Sequence, residues 1–191
     1  IAFDLPGHGQ SSIAVGDGSV GFFAGVTAGL MEALDVPAAH VVGHSLGGGV
    51  ALSLLAHKPE NVRALSLLAP AGLGRTVNIA FIEAFVQATT PEALRAAMDM
   101  AVYAKGLVGR QAAQAPLAGL NRPGVRAALR PVALAWFDGG VQVGALVAVL
   151  RGSPGARQVT RGGGGSGKGR AAGGGPVGGG SWAADIWSRA A

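Results

Sequence analysis

The sequence predicts an α/β fold with a parallel sheet, and the pattern of its first 75 residues carries that prediction. Short apolar segments at 1–4, 40–42 and 64–69 have the length and composition of strands. Between them, residues 22–34 and 50–57 place apolar side chains at helical spacing. Strands that alternate with helices in this way are typical of parallel sheets.

The first and third predicted strands differ in their expected positions in the sheet. Residues 1–4 resemble the end of a buried strand, so we expect the sequence to begin inside an element. The loop at 5–11 contains a proline and two glycines, which stop that strand. Residues 64–69 are apolar except for Ser66, which predicts a central strand covered on both faces.

From residue 76 the pattern changes to helices alone. Thr90 followed by Pro91 predicts a helix start, because threonine caps helices and proline is tolerated at the first helical position. A helical insertion after a sheet strand commonly serves as a lid over a site. The sequence therefore predicts a core over 1–75, a helical lid over 76–140 and a degenerate or disordered Gly/Arg-rich tail over 141–191.

The charges are unevenly distributed. Residues 1–150 carry nine Lys/Arg and nine Asp/Glu, so the net charge of +5 lies in residues 151–191. A neutral globular part gives no indication of a nucleic-acid partner. Glycine accounts for 14 of the last 41 residues, and such a segment buries too little apolar surface to offset its chain entropy.

The composition also limits which metal sites, cofactor sites and cellular compartments we expect. The chain has no cysteine, which excludes disulfides and thiolate metal sites, and we expect no metal. The chain contains no run of 18 uninterrupted apolar residues, so no membrane-spanning helix is predicted. We therefore expect a cytoplasmic protein without a membrane partner. The sequence of residues 162–169 is close to the phosphate-binding motif G-x-x-x-x-G-K-[ST]. Gly169 stands where that motif has serine or threonine, and no strand precedes the segment, so we do not interpret it as a phosphate site.

One motif carries chemistry. Gly43-His44-Ser45-Leu46-Gly47 matches G-x-S-x-G and lies between a predicted strand and a predicted helix, the context of a nucleophile elbow. Such an elbow holds its serine in a strained conformation, and the flanking glycines remove side chains that would clash. The motif predicts Ser45 as a nucleophile and the Leu46 N–H as an oxyanion donor. The alternative is a glycine-rich turn with an incidentally exposed serine.

Three segments, FDLPGHGQS at 3–11, VVGHSLGG at 41–48 and LLAPAGLG at 67–74, resemble the α/β-hydrolase superfamily. Over roughly residues 1–145 the chain resembles, more narrowly, the hydrolase-like domain of the dihydrolipoamide acetyltransferase component of acetoin dehydrogenase complexes. The resemblance implies an α/β-hydrolase fold, a parallel sheet flanked by helices with a helical lid, incomplete at both ends. It implies Ser45 as nucleophile and Leu46 as one oxyanion donor, with the second donor upstream of Ile1.

The triad of this superfamily runs serine, acid, histidine. Only His57 follows Ser45, and 12 residues of helix separate their backbones by roughly 18 Å, so His57 is excluded as the base. We expect His57 beside the last carbonyls of its helix. His40 lies at the far end of the elbow strand and is equally unsuitable.

The remaining polar candidates have other expected roles. His8 is expected to stabilise the turn after the first strand, and His44 to line the pocket or to pack. Asp99 and Asp138 could serve as the acid, but neither follows a recognisable strand, so neither is assigned. The triad acid and histidine are therefore expected to be absent. The abrupt change in composition near Arg151 suggests a shifted reading frame in a GC-rich gene, which translation of the other frames would test.

The resemblance implies a serine hydrolase or acyltransferase acting on an ester or thioester carbonyl of a small acyl substrate. It also implies other subunits of an acetoin or 2-oxoacid dehydrogenase complex as partners. No cofactor is expected in this chain; a lipoyl group would sit on a separate upstream domain. Two alternatives remain open: a catalytically dead hydrolase-fold binding or assembly module, and a truncated fragment.

Overall fold

The computed structural model describes residues 1–74, 77–104, 106–138, 141–142 and 158–160. Its helices are α1 (Val20–Ala33), α2 (Leu46–His57), α3 (Ile79–Gln87), α4 (Pro91–Asp99), α5 (Gln114–Leu120) and α6 (Val125–Trp136). Its strands are β1 (Ala39–His44), β2 (Val62–Leu68), β3 (Phe137–Asp138), β4 (Val141–Gln142) and β5 (Gln158–Thr160). Short 3-10 turns lie at Pro59–Asn61 and Arg110–Ala113.

The main sheet is parallel, as the sequence predicts. Its strand order is β1-β2-β5, with His44 opposite Leu68 and Leu68 opposite Thr160. Strands β3 and β4 form a separate antiparallel pair. Because β1 and β2 run in the same direction, the residues that follow both strands emerge at one edge of the sheet.

Side-chain caps define where helices such as α1 and α4 begin. The Ser19 Oγ accepts from the N–H of Phe22 at 3.1 Å at the start of α1. The Thr90 Oγ1 accepts from the N–H of Ala93 at 3.2 Å, with Pro91 at the first helical position. The predicted start of the helix at Thr90 is therefore confirmed, since a cap of this kind satisfies an otherwise unpaired N–H.

The core joins the sheet to α2 and α2 to its neighbouring helices. Leu65 and Leu67 of β2 are buried against Leu52 and Leu55 of α2. A second cluster combines α1, α2 and α6, with these buried side chains: Val15, Phe23, Ala24, Met31, Val50, Leu54, Val132 and Trp136. Helix α2 is thus buried between the sheet and two helices, which holds the turn before it in place.

The sequence predicts that the third apolar segment is covered on both faces, but the described residues bury only one of them against α2. Along β2, buried Leu65 and Leu67 alternate with partly exposed neighbours, and Val42 on the adjacent strand is 66% exposed. One face of the sheet packs on α2, while the other is open among the described residues. The composition of β2 could not separate these cases, because its residues on both faces are mostly apolar.

The predicted first strand is not observed. Residues 1–4 are exposed and pair with no strand among the described residues. Asp4 instead bonds within its own loop: its carboxylate accepts from the N–H of Gln10 at 2.9 Å, and its carbonyl accepts from the Ser11 hydroxyl at 2.6 Å. A strand needs a neighbour to satisfy its backbone, and here the loop supplies the bond to the Asp4 carbonyl.

The helical region over 76–140 has a small core of its own, formed by Ala88, Leu94, Ala113, Leu117 and Leu120. Helix α6 contacts both cores, because Leu129 packs against this cluster while Val132 and Trp136 belong to the α1–α2 cluster. The helices of the predicted lid are therefore anchored to the sheet domain through α6.

The predicted disorder of residues 141–191 lies almost wholly outside the described residues. Within that range, β4 and β5 are strands. Strand β5 pairs in parallel with the end of β2, with Gln158 opposite Ser66. The glycine-rich composition around it did not indicate a strand there, because the hydrogen bonds come from a distant partner rather than from local preference.

Candidate active site

Ser45 is the single residue between the end of β1 and the start of α2. Its backbone has φ 50° and ψ −118°, outside the regions that L-residues normally occupy. Such a conformation costs of order 1–3 kcal/mol and persists only where neighbouring contacts hold it. The strained turn that the motif predicts is therefore present, and it leaves the Ser45 side chain exposed.

Hydrogen bonds from the end of β2 hold this turn. The N–H of Ser45 donates to the Leu68 carbonyl at 3.0 Å. The Ser45 carbonyl accepts from the N–H of Ala71 at 2.8 Å, and also from Gly48 at 3.0 Å and Gly49 at 3.3 Å in the first turn of α2. Both peptide groups that flank Ser45 are thus tied to neighbouring structure.

The two glycines of the motif are not equivalent. A Cβ at Gly43 would lie 2.7 Å from the Cα of Gly48 and 2.8 Å from the carbonyl carbon of Gly47, both backbone atoms that cannot move aside. A Cβ at Gly47 would have nothing within 4 Å. The expected clash is therefore confirmed at Gly43 and wrong at Gly47, whose side of the helix is open.

The following two glycines allow close packing. A Cβ at Gly48 would lie 2.5 Å from the Pro70 Cβ. A Cβ at Gly49 would lie 2.6 Å from Cζ3 of Trp136, a ring that is only 4% exposed. The neighbours that approach these two glycines are the loop after β2 and helix α6.

The N–H of Leu46 lies at the first position of α2. It donates to no acceptor outside its own helix among the residues that the structure describes. Unpaired N–H groups at a helix start, together with the helix dipole, favour negative charge. An exposed hydroxyl at Ser45 beside such a donor can attack a carbonyl carbon while the developing oxyanion is stabilised.

His57 is held far from the elbow. Its Nδ1 donates to the Ser53 carbonyl at 2.8 Å, at the last turn of α2. Ser45 precedes the first turn of the same helix, so the length of α2 separates the two side chains. The expected position of His57 beside the last carbonyls is confirmed, and its ring serves the helix end rather than Ser45.

His8 and His40 are also placed by local structure. The Nδ1 of His8 donates to the Pro6 carbonyl at 3.1 Å, which supports the expected turn role. His40 is exposed near the start of β1, at the opposite end of that strand from Ser45. Asp99 pairs with Arg95 at 3.4 Å within α4 and accepts from the N–H of Gly106 at 3.3 Å.

His44 is the last residue of β1 and precedes Ser45 directly. Its side chain keeps much of its surface exposed, yet partial burial of the imidazole lowers its pKa below the ordinary value of 6.5. Desolvation acts in this direction because it disfavours the charged form. The ring is therefore neutral at neutral pH beside the candidate nucleophile.

The depressed pKa of His44 makes stability depend on pH. Below pH 6.5 the unfolded chain binds this proton more readily than the folded protein, so we expect the free energy of unfolding to fall as pH drops through that value. We expect His44→Asn to remove this part of the pH dependence. Urea denaturation of both proteins at pH 7.5 and pH 5 measures it, and an equal loss of stability in both would contradict the expectation.

Three contacts join parts of the chain that are distant in sequence, and sequence reasoning missed all of them. Arg122, between α5 and α6, donates to the carbonyls of Gly9 and Ser11 in the loop after the first segment. Trp136 donates from Nε1 to the Gly18 carbonyl at 3.1 Å. The Ala71 N–H donates a hydrogen bond to the Ser45 carbonyl. Only the proline-glycine composition of residues 70–72 indicates a turn there.

The described ranges also limit the kinds of site that can be considered. They contain no group of three or more His, Asp or Glu side chains that could hold a metal ion. No helix within them has both the length and the apolar character needed to cross a bilayer.

A family model described as the α/β hydrolase fold matches residues 1–113. The chain is 39% identical over 142 residues to the dihydrolipoyllysine-residue acetyltransferase component of the acetoin cleaving system of Cupriavidus necator, covering 74% of this chain and 38% of that protein. A Pseudomonas putida protein of the same name is 39% identical over 150 residues, covering 78% and 40%. The chain thus spans about two fifths of the length of these relatives.

Solved structures agree on the fold. A 2-hydroxy-6-oxo-6-phenylhexa-2,4-dienoate hydrolase from a Rhodococcus species superposes with a TM-score of 0.63 at 24% identity, over 83% of this chain and 59% of that one. A meta-cleavage product hydrolase from Pseudomonas fluorescens gives 0.61 at 21% identity, over 75% and 53%. With the family match over residues 1–113 and the relatives at 39% identity, the chain belongs to the α/β-hydrolase fold family, and the narrower resemblance to the acetoin-system component is confirmed.

Proposed function

We propose that this chain carries the nucleophile of an acyl-transfer site, with Ser45 attacking an ester or thioester carbonyl. The observation that supports this most directly is the backbone of Ser45, held at φ 50° and ψ −118° between β1 and α2 with an exposed side chain. Strain of this kind has a cost that a merely structural turn would avoid by using glycine.

In the proposed reaction, the Ser45 Oγ bonds to the carbonyl carbon and loses its proton to a base. The carbonyl oxygen takes the negative charge and accepts from the N–H of Leu46. Collapse of the tetrahedral intermediate expels an alcohol or thiol, which takes up the proton and leaves an acyl ester on Ser45. Water or a second thiol then removes the acyl group.

The base is the open part of this proposal. Histidine is the usual choice, but the one histidine that follows Ser45, His57, donates to the Ser53 carbonyl at the other end of α2. We propose that this chain by itself lacks the histidine and the acid of the triad. Its chemistry is then limited to what the nucleophile and the oxyanion donor supply.

The proposed substrate class follows the relatives. Two relatives at 39% identity are named for dihydrolipoyllysine-residue acetyl transfer in the acetoin cleaving system. We propose a small acyl thioester as substrate, other components of such a system as partners, and a lipoyl group carried outside this chain. A Comamonas testosteroni relative, 40% identical over only 75 residues, is named as a hydrolase of a phenylhexadienoate, and hydrolysis by the same serine is the competing outcome.

A second candidate is a non-catalytic binding or assembly module. The hydrogen bond from His57 to Ser53 favours it, because that bond leaves Ser45 without a histidine from the residues that follow it. A hydrolase fold without its base can still present its surface to a partner, and the two candidates differ in the reactivity of Ser45.

Labelling with a fluorophosphonate, followed by peptide mass spectrometry, tests the proposal. We expect Ser45 to label in preference to other exposed serines such as Ser12, and Ser45→Ala to abolish the label. Added imidazole is expected to accelerate labelling, because it can accept the Oγ proton in place of the missing histidine. Ser45 that stays unlabelled with and without imidazole would favour the non-catalytic module.

A further inference from the structure

The peptide group between Ser45 and Leu46 contains both the carbonyl that Ala71 bonds and the N–H proposed as oxyanion donor. In the described residues no peptide bond is cis, so this carbonyl and this N–H point in opposite directions. The N–H of Ala71 approaches the carbonyl at 2.8 Å from the loop after β2. Whatever fixes the carbonyl therefore also aims the N–H of Leu46.

The end of β2, directly before this loop, holds the other side of Ser45. The N–H of Ser45 donates to Leu68 at 3.0 Å, so both flanking peptide groups are bonded to residues 68–71. The φ and ψ angles of Ser45 are the rotations of those two peptide groups about its Cα. Two bonds to one short segment thus define a conformation that the residue would not adopt alone.

The segment that provides these bonds is itself strained and closely packed. Ala69 has φ 41°, one of the non-glycine residues with positive φ in the described ranges. Pro70 lies so near Gly48 that a Cβ on that glycine would approach within 2.5 Å. Strain outside the catalytic turn is retained where surrounding packing determines the backbone, which this contact with α2 does.

We infer that Ala71 is a positioning residue: through its N–H to the Ser45 carbonyl, it aims the Leu46 N–H at the forming oxyanion. The inference rests on the proposed function, since it assigns a role only if an oxyanion forms at Ser45. Gly48 and Gly49 also donate to that carbonyl, but those bonds belong to α2 and move with it. The Ala71 bond is the one that ties the carbonyl to the loop after β2.

The test removes only the donor. Replacing the Ala71 amide by an ester, with lactic acid at position 71, exchanges N–H for oxygen and keeps the side chain. We expect imidazole-assisted labelling of Ser45 to slow by at least about tenfold, since loss of a full oxyanion donor costs more. Ala71→Pro, which also removes the N–H, is expected to act in the same direction. Labelling at the wild-type rate in both variants would overturn the inference.

The matched control is the same amide-to-ester replacement at Leu73, whose N–H donates to no acceptor among the described residues. Amide hydrogen exchange gives a readout that needs no reactivity. The ester at position 71 is expected to speed exchange at Ser45, Gly48 and Gly49 while the later turns of α2 keep their protection. If wild-type Ser45 does not label, the proposed function fails, and an unchanged exchange pattern would separately refute the positioning role.

Discussion

Replacing Gly43 with alanine is expected to lower the free energy of unfolding by about 3 kcal/mol, near the upper end for overpacking. The added Cβ would lie 2.7 Å from the Cα of Gly48 and 2.8 Å from the carbonyl carbon of Gly47. Since these are backbone atoms in the first turn of α2, relief requires the helix to shift away from β1. That shift would also displace Ser45, so labelling is expected to be slower. Urea denaturation and the labelling rate together measure the effect.

Gly47→Ala is the matched control for stability. Nothing lies within 4 Å of its added Cβ, and alanine is favoured over glycine in a helix. We expect between no change and a gain of about 1 kcal/mol in the free energy of unfolding. Equal destabilisation by the two substitutions would mean that the turn is sensitive to any loss of glycine, and would contradict the contact at Gly43.

Removing the ring of Trp136 is expected to have the other large effect. Trp136→Ala should lower the free energy of unfolding by about 3–5 kcal/mol, the range for large buried side chains. The ring is 4% exposed, packs against Gly49 at the start of α2, and donates to the Gly18 carbonyl at 3.1 Å. Its loss would therefore leave a cavity and an unsatisfied carbonyl where α6 joins the sheet domain.

Leu134 provides a control on the same helix, because it is 68% exposed. Leu134→Ala is expected to change stability by less than about 0.5 kcal/mol. Trp136→Phe separates the two contributions, since it keeps most of the packing and loses only the Nε1 donor. We expect it to cost about 1 kcal/mol, the net contribution of one hydrogen bond. A comparable loss of stability in the Leu134 variant would show that α6 as a whole is fragile.

Helix α6 links the helical region to the part of the core that lies beside the Ser45 turn. Helices α3 to α5 pack on one another, and α6 connects them to the cluster that contains α1 and α2. The contact between Trp136 and Gly49 lies four residues after Ser45 along the chain. A change in how α6 sits would therefore reach the turn that carries the candidate nucleophile.

Much of the candidate site could be predicted from the sequence because it depends on local chemistry. The strand-turn-helix context of residues 43–47 predicts a strained serine, and the structure has Ser45 at φ 50°. The cap at Thr90 and the position of His57 at the end of α2 follow from hydrogen bonds within one turn of helix. Such interactions join residues three or four positions apart, so one short segment of the sequence contains both partners and indicates the contact.

From the sequence alone one predicts the parallel α/β class, the strained turn at Ser45 and the position of His57 at the end of α2, and the structure has all three. Only the tertiary structure decided which glycine of the motif is closely packed, which face of the sheet is buried against α2, and that Ala71 contacts Ser45 while Trp136 packs against Gly49. The Trp136 bond to Gly18 spans 118 residues, and the Ala71 bond crosses between two strand ends. Contacts of this kind depend on how elements pack against one another, and no periodicity within a segment encodes the distance between two of them.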